Sequence, residues 1–247
     1  MSQAKYVAFG FLGVALLAAP PVLALNGAEV LKKMDAAEYS AKDTDATVKL
    51  VMTDKGGARS ERKMQMFQKG MKQRLVRFLE PADVKGIAFL DEGDDKMYLY
   101  LPALHKVRRI AGHVKNENFA GTDFAFQDLQ AGEFSERVDA KSLKEDDAHY
   151  IVEAVPRPGT DSKYGKLILH IRKSDFLFDK IEFFDESQTL WKLFTRDDFR
   201  PVGKYTQSYR VLMKDLKAEH STEMTVLDLK VDVGLKDSFF SQRQLKK

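Results

Sequence analysis

Two hydrophobic periods divide this chain. After Asn26-Gly-Ala-Glu29, which has the form of a capping box, Val30, Leu31, Met34 and Ala37 recur at helical spacing and predict an amphipathic helix of about three turns. From Thr47 the period falls to two. Val48, Leu50 and Met52 alternate with Lys49, Val51 and Thr53 until Asp54-Lys-Gly-Gly57 turns the chain. Met64 and Met66 mark the returning strand, and residues 72–79 a third. Pro81-Ala-Asp-Val-Lys-Gly86 reads as a turn, because proline suits its first position and glycine its end. Short strands are expected over 87–90, over 96–101 where Pro102 stops the ladder, and over 105–110, the most basic strand. Residues 112–121 read as polar loop, and 123–129 as a short helix capped by Thr122 or Asp123.

After a polar stretch to residue 147, strand-like runs recur at 148–155, 166–173, 178–185, 189–195 and 209–214. Residues 224–233 alternate most cleanly, with Leu227, Leu229, Val231 and Val233 against Asp228, Lys230 and Asp232. A terminal helical turn is expected over 238–245. Short strands in series, joined by tight turns, predict a mainly β (α+β) protein whose antiparallel meander curls into a barrel or half-barrel.

In most strands one parity is rich in Met, Leu, Val and Phe and the other in charged residues, which gives a curled sheet an apolar concave side and a wet convex one. Parity nominates Met64, Met66, Val76, Phe78, Met97, Leu99, Leu101, Leu167, Leu169, Ile171, Leu227 and Leu229 for the concave lining. That interior is either a packed core or a cavity. Nine methionines suit a surface that must accept variable shapes. The segment carrying Phe119, Phe124, Phe126 and Leu129 is too short and too isolated by loops to be a core element of its own, and is expected to lie as a lid over an opening.

Composition changes the picture in three ways. A lone Lys5 precedes an apolar and glycine run over residues 7–19, then Pro20-Pro21, which predicts a secretory signal cleaved after Ala24 and a single domain over 25–247. Cysteine is absent, so there is neither a disulfide framework nor a lipid-acceptor thiol. Loss of residues 1–24 leaves 39 basic and 37 acidic side chains, a balance that argues against bulk capture of nucleic acid. Enzyme chemistry finds no footing. Gly-x-Ser-x-Gly and His-Glu-x-x-His do not occur, and the five histidines lie in separate segments. We therefore expect no catalytic residues, no metal and no cofactor. The near phosphate-loop pattern Gly159-Thr-Asp-Ser-Lys-Tyr-Gly165-Lys166 is one residue too long and reads as a hairpin turn. Lys106, Arg108 and Arg109 form either a charged edge that discourages aggregation or a site for lipid phosphates or an acidic partner.

Phe78-Leu-Glu-Pro81, Lys85-Gly86, Tyr98-Leu-Tyr-Leu-Pro102, Lys106-Val-Arg-Arg109, Phe119-Ala-Gly-Thr-Asp-Phe124 and Asp128-Leu129 resemble the outer-membrane lipoprotein-sorting proteins of the LolA/LolB-like superfamily. The resembling branch is the one often encoded beside RND-type lipid exporters. The resemblance spans essentially the whole mature chain and is densest over 78–129. It implies an unclosed antiparallel barrel of about eleven strands with a helical lid over an apolar cavity. By the same resemblance the protein would be a non-catalytic periplasmic carrier of acylated lipid or lipoprotein, in transient contact with membrane surfaces and with an inner-membrane RND-type transporter. The lack of an acceptor cysteine fits the soluble carrier rather than the anchored receptor. A structural or adaptor subunit with a filled barrel, docked on such an exporter, is the alternative.

Overall fold

The structure, a computed structural model, describes residues 25–247. The expected signal segment, 1–24, lies outside them. Among the described residues no helix is long and apolar enough to cross a membrane.

Helix α1 (Gly27–Glu38) begins with the anticipated capping box: Glu29 N donates to Asn26 Oδ1 at 3.0 Å and Asn26 N to Glu29 Oε2 at 2.9 Å. Its stripe of Val30, Leu31 and Met34 is buried. Two antiparallel meanders follow. The first comprises β1 (Asp43–Thr53), β2 (Arg59–Lys69), β3 (Gln73–Glu80), β4 (Ala88–Asp91), β5 (Met97–Leu101) and β6 (Lys106–Ile110). The second comprises β7 (Val138–Glu145), β8 (His149–Pro156), β9 (Tyr164–Arg172), β10 (Phe178–Asp185), β11 (Leu190–Val202), β12 (Tyr205–Asp215) and β13 (His220–Val231). Pairing of β1 with β13 fuses them into one sheet of thirteen strands, ordered β6-β5-β4-β3-β2-β1-β13-β12-β11-β10-β9-β8-β7.

That order decides the architecture. β6 and β7 follow one another in sequence yet occupy opposite edges, so the sheet is not closed. The chain between them must cross from one edge to the other. This crossing segment carries 3-10 turns at Gly112–Asn116, Phe119–Gly121 and Phe126–Leu129 and a short helix α2 (Phe134–Arg137). The Asp54 turn forms as anticipated, with Asp54 Oδ1 accepting from Gly56 N at 2.8 Å and Ala58 N at 2.9 Å. The Gly159 stretch is likewise the β8–β9 connection.

The convex face departs from the wet surface expected of it. Phe67, Leu75, Ala88 and Leu90 lie on that side and are buried beneath Phe240 and Leu245 of the C-terminal segment, whose last turn is helix α3 (Gln242–Leu245). Asp43 holds the segment's start by accepting from Val233 N at 2.7 Å and Leu235 N at 3.1 Å. Strands β2–β4 are thus covered on both faces.

Candidate functional site

The concave face is filled on one side and open on the other. Over β2–β5 the crossing segment packs directly on the sheet. Phe119 stacks on Phe78 with centroids 5.3 Å apart, and Phe126 meets Phe89 and Phe119 at 5.9 and 5.6 Å. Beyond it a cavity of about 810 Å³ remains, bounded by α1, α2, the crossing segment and mainly strands β9–β13. This lies within the roughly 300–1,000 Å³ of ordinary ligand cavities. Met66, Leu167, Phe183, Phe194, Met213 and Met224 face it, and Phe124 enters from the segment, edge-on to Phe194 at 6.3 Å.

Parity placed the lining residues unevenly. Met66 and Leu167 touch the cavity. Met64, Val76, Phe78 and Met97 face the same way but are buried in one continuous core that includes Phe119 and Phe126. Leu169 and Ile171 are fully buried in that same core, together with Val30 and Leu31 of α1. Leu99 is half-buried against it, and Leu101 pairs with Lys106 at the β5–β6 edge. Leu227 does not line the concave face as parity predicts: it is 54% exposed. A bulge opposite Thr47/Val48 skips it, since Thr47 pairs with Asp228 and Val48 with Val226. The inward residues are therefore Met224 and Val226, with Leu229 opposite Ala46 beyond the bulge. Of the lid residues, Phe119, Phe124, Phe126 and Leu129 are all buried, and only Phe124 and Leu129 border the cavity. Lys106, Arg108 and Arg109 are exposed on the edge strand β6. Alternation sets Lys106 and Arg108 on the face of Ile110 and Arg109 on the other, so the three do not converge.

Charged side chains hold the cavity's frame. Arg196 Nη1 donates to Glu38 Oε2 at 2.9 Å, Nη2 donates to Glu38 Oε1, and the guanidinium lies 3.8 Å over the Phe178 ring. This fork ties the end of α1 to β10 and β11. Glu38→Ala would leave Arg196 half-buried without its partner. The expected result is a loss of about 2–4 kcal/mol in urea unfolding, with faster hydrogen exchange at α1 amides.

The crossing segment is bolted down by a second set. Lys192, only 1% exposed, donates from Nζ to Asp123 O at 2.7 Å and Asn118 Oδ1 at 3.3 Å. The buried Asp123 carboxylate accepts from Thr222 Oγ1 at 2.6 Å and meets His220 Nδ1 at 2.8 Å. Asp128 accepts from Ala125 N at 2.8 Å and from the Tyr164 hydroxyl at 3.1 Å. Burial pushes the Asp128 carboxyl up, against the opposing pull of the Lys192 charge, and pushes the Tyr164 hydroxyl well above its ordinary range. Arg74 of β3 and Arg137 of α2 also face the cavity.

Parity in the sequence carries a signal for two of these charges. Arg74 stands two residues from Val76 and Lys192 two from Phe194, so each shares its neighbour's inward face. Nothing local marks Glu38 or Arg137, whose places depend on how α1 and the crossing segment dock.

An open antiparallel half-barrel wrapped around an apolar cavity, with a helix and short helical turns at its mouth, is the LolA-superfamily fold of outer membrane lipoprotein-sorting domains. A family model described as "Uncharacterized protein" matches residues 70–247, and the chain belongs to that family. No curated protein matches the chain. Among solved structures, one named for an outer membrane lipoprotein-sorting protein domain from Vibrio parahaemolyticus is 27% identical, with a TM-score of 0.82 over 90% of this chain and 98% of that one. A DUF1329 family protein from Desulfovibrio piger is 24% identical, with a TM-score of 0.81 over 89% and 97% of the two chains. A LolA superfamily protein from Nitrosomonas europaea is 20% identical, with a TM-score of 0.73 over 90% and 100%. The last two bear on the fold alone.

Proposed function

We propose that this protein is a non-catalytic carrier that shelters the acyl chains of a lipid or lipoprotein in its cavity and moves them across the periplasm towards the outer membrane. The observation that carries this reading is the open, mainly apolar volume in a sheet whose other half is filled by aromatic packing. The lipoprotein-sorting name of the Vibrio relative points the same way. Physical need completes it. At about 0.8 kcal/mol per buried methylene, a sixteen-carbon chain gives up roughly 12 kcal/mol on entering water. An acylated molecule therefore crosses an aqueous space only inside a shelter. Methionine and phenylalanine walls can re-pack around chains of different shape.

In this reading residues 1–24 direct export, the wall is Met66, Leu167 and the neighbours named above, and Phe124 with Leu129 forms the border on the crossing segment. The free edge strand carrying Lys106, Arg108 and Arg109, the first two on one face and Arg109 on the other, is the contact for an RND-type donor or for membrane phosphates. The adaptor alternative requires a filled interior, and the cavity speaks against it. The test is lipid capture. Protein incubated with phosphatidylethanolamine–phosphatidylglycerol vesicles and re-isolated by size should carry lipid, and Val211→Trp, which narrows the cavity, should carry about tenfold less. Equal amounts on both proteins, or none on either, would sink the proposal.

A further inference from the structure

Two arginines face the cavity from different elements and are provided for differently. Arg74 on β3 is held in place: Nε donates to Gln68 Oε1 at 3.1 Å and Nη1 to Leu129 O at 3.0 Å. Arg137 on α2 is not. Its one side-chain hydrogen bond among the described residues runs from Nη1 to Gln127 O at 3.4 Å, and its Nε is buried there without an acceptor. A guanidinium offers five N–H donors in a planar fork, so most of Arg137's capacity is unused. The two cations are close enough that Arg74 disfavours the charge on Arg137, which burial already disfavours.

The nearby carboxylates of Asp35 and Asp128 favour the Arg137 charge from a distance, but neither gives its guanidinium a hydrogen bond. Asp35 accepts from Phe134 N and Ser135 N, both at 2.9 Å, and Asp91 from Gly93 N at 2.9 Å and Ala131 N at 2.8 Å. Asp128 is taken by Ala125 N and Tyr164. These three balance charge at a distance while their oxygens serve other donors. What remains is a pair of guanidiniums at the polar end of the cavity, beside Gln127, Gln130, Tyr39 and the carboxylates of Asp35 and Asp128, whose oxygens already accept from other donors. A planar fork with free donors matches the oxygens of a carboxylate or phosphate.

We infer that Arg137, with Arg74 beside it, is an oxyanion subsite that takes the acidic head of an amphiphile whose chain lies along Phe194, Met213 and Met224. This rests on the carrier reading for the chain and adds the class of head to it. Anionic amphiphiles are then the preferred cargo over neutral ones of equal length.

The test compares palmitate, hexadecyl phosphate, hexadecanol and inorganic phosphate by calorimetric titration of the delipidated protein. Palmitate and hexadecyl phosphate should bind about tenfold tighter than hexadecanol, and inorganic phosphate far more weakly than either. In Arg137→Gln the acid and phosphate should fall to within about twofold of hexadecanol, whose own binding is retained and shows that the cavity is intact. Should Arg137→Gln fail to bind hexadecanol, Arg137→Met, which keeps the packing on Phe134, is read the same way. Equal binding of acid and alcohol to the wild type overturns the subsite and leaves the carrier standing. A preference that survives in both variants overturns the assignment to Arg137. Inorganic phosphate binding as tightly as hexadecyl phosphate makes this a free-anion site and overturns the amphiphile. Binding of none of the four probes overturns subsite and carrier together.

Discussion

Phe126→Ala is expected to cost about 3–5 kcal/mol of folding stability, whereas Phe124→Asp should cost clearly less and yet abolish lipid capture. The two rings are two positions apart and both are buried, but they do different work. Phe126 is wedged between Phe89 and Phe119 over the filled half of the sheet. Removing it opens a void lined by side chains that cannot collapse. Phe124 packs edge-on to Phe194 in the core but also borders the cavity, so a carboxylate there has one side on the open volume. Urea unfolding and vesicle capture on the same preparations separate the two effects. Equal stability losses would place Phe124 in an ordinary core and remove it from the binding surface.

Lys192→Met is expected to cost about 3 kcal/mol near neutral pH, the second large effect. The ammonium is nearly inaccessible, and its loss strips the Asp123 carbonyl and Asn118 of a donor and leaves Asp128 without its main opposing charge. A buried carboxyl whose folded pKa is raised binds its proton more tightly when folded, so its contribution to stability is greatest at low pH and falls as pH rises through that raised value. Without Lys192 the Asp128 carboxyl rises further. The variant's deficit should therefore shrink as pH is lowered from neutral towards the ordinary carboxylate range. Hydrogen exchange should also quicken over residues 118–129, which Lys192 and Asp123 bolt to β11 and β13. A deficit independent of pH, with exchange unchanged, would show that Lys192 acts only by filling space.

Much of the frame was legible in the chain because it is local. The Asn26–Glu29 box, the Asp54 turn and the period-two runs of β1 and β9 state their own geometry. β7 was not legible. Val138–Glu145 carries Lys141, Lys144 and Glu145 on an edge strand, where only half of one face is buried, and it reads as polar connection. Leu227 misled for a related reason, since the bulge that turns it outward belongs to the pairing with β1 and leaves no mark in β13 itself. The outward Phe67, Leu75 and Leu90 look like lapses of parity until the C-terminal segment covers them. The candidate site was half legible. Parity put Met66 and Leu167 on the right face, but which inward residues meet open volume depends on where the crossing segment lies. That path follows from β6 and β7 standing at opposite edges, a fact of topology and not of any one stretch of sequence.

The central claim, that the open half of the barrel holds acyl chains, is tested most directly by native mass spectrometry of the protein purified without detergent from the envelope of its own organism. Additional mass corresponding to acylated molecules is expected, removed by organic extraction and strongly reduced in Val211→Trp. Trp191, whose ring lies 5.6 Å from that of the cavity residue Tyr164, should also change its emission when lipid is restored. Protein that is consistently empty, with Trp191 emission unmoved by added lipid, would contradict the claim.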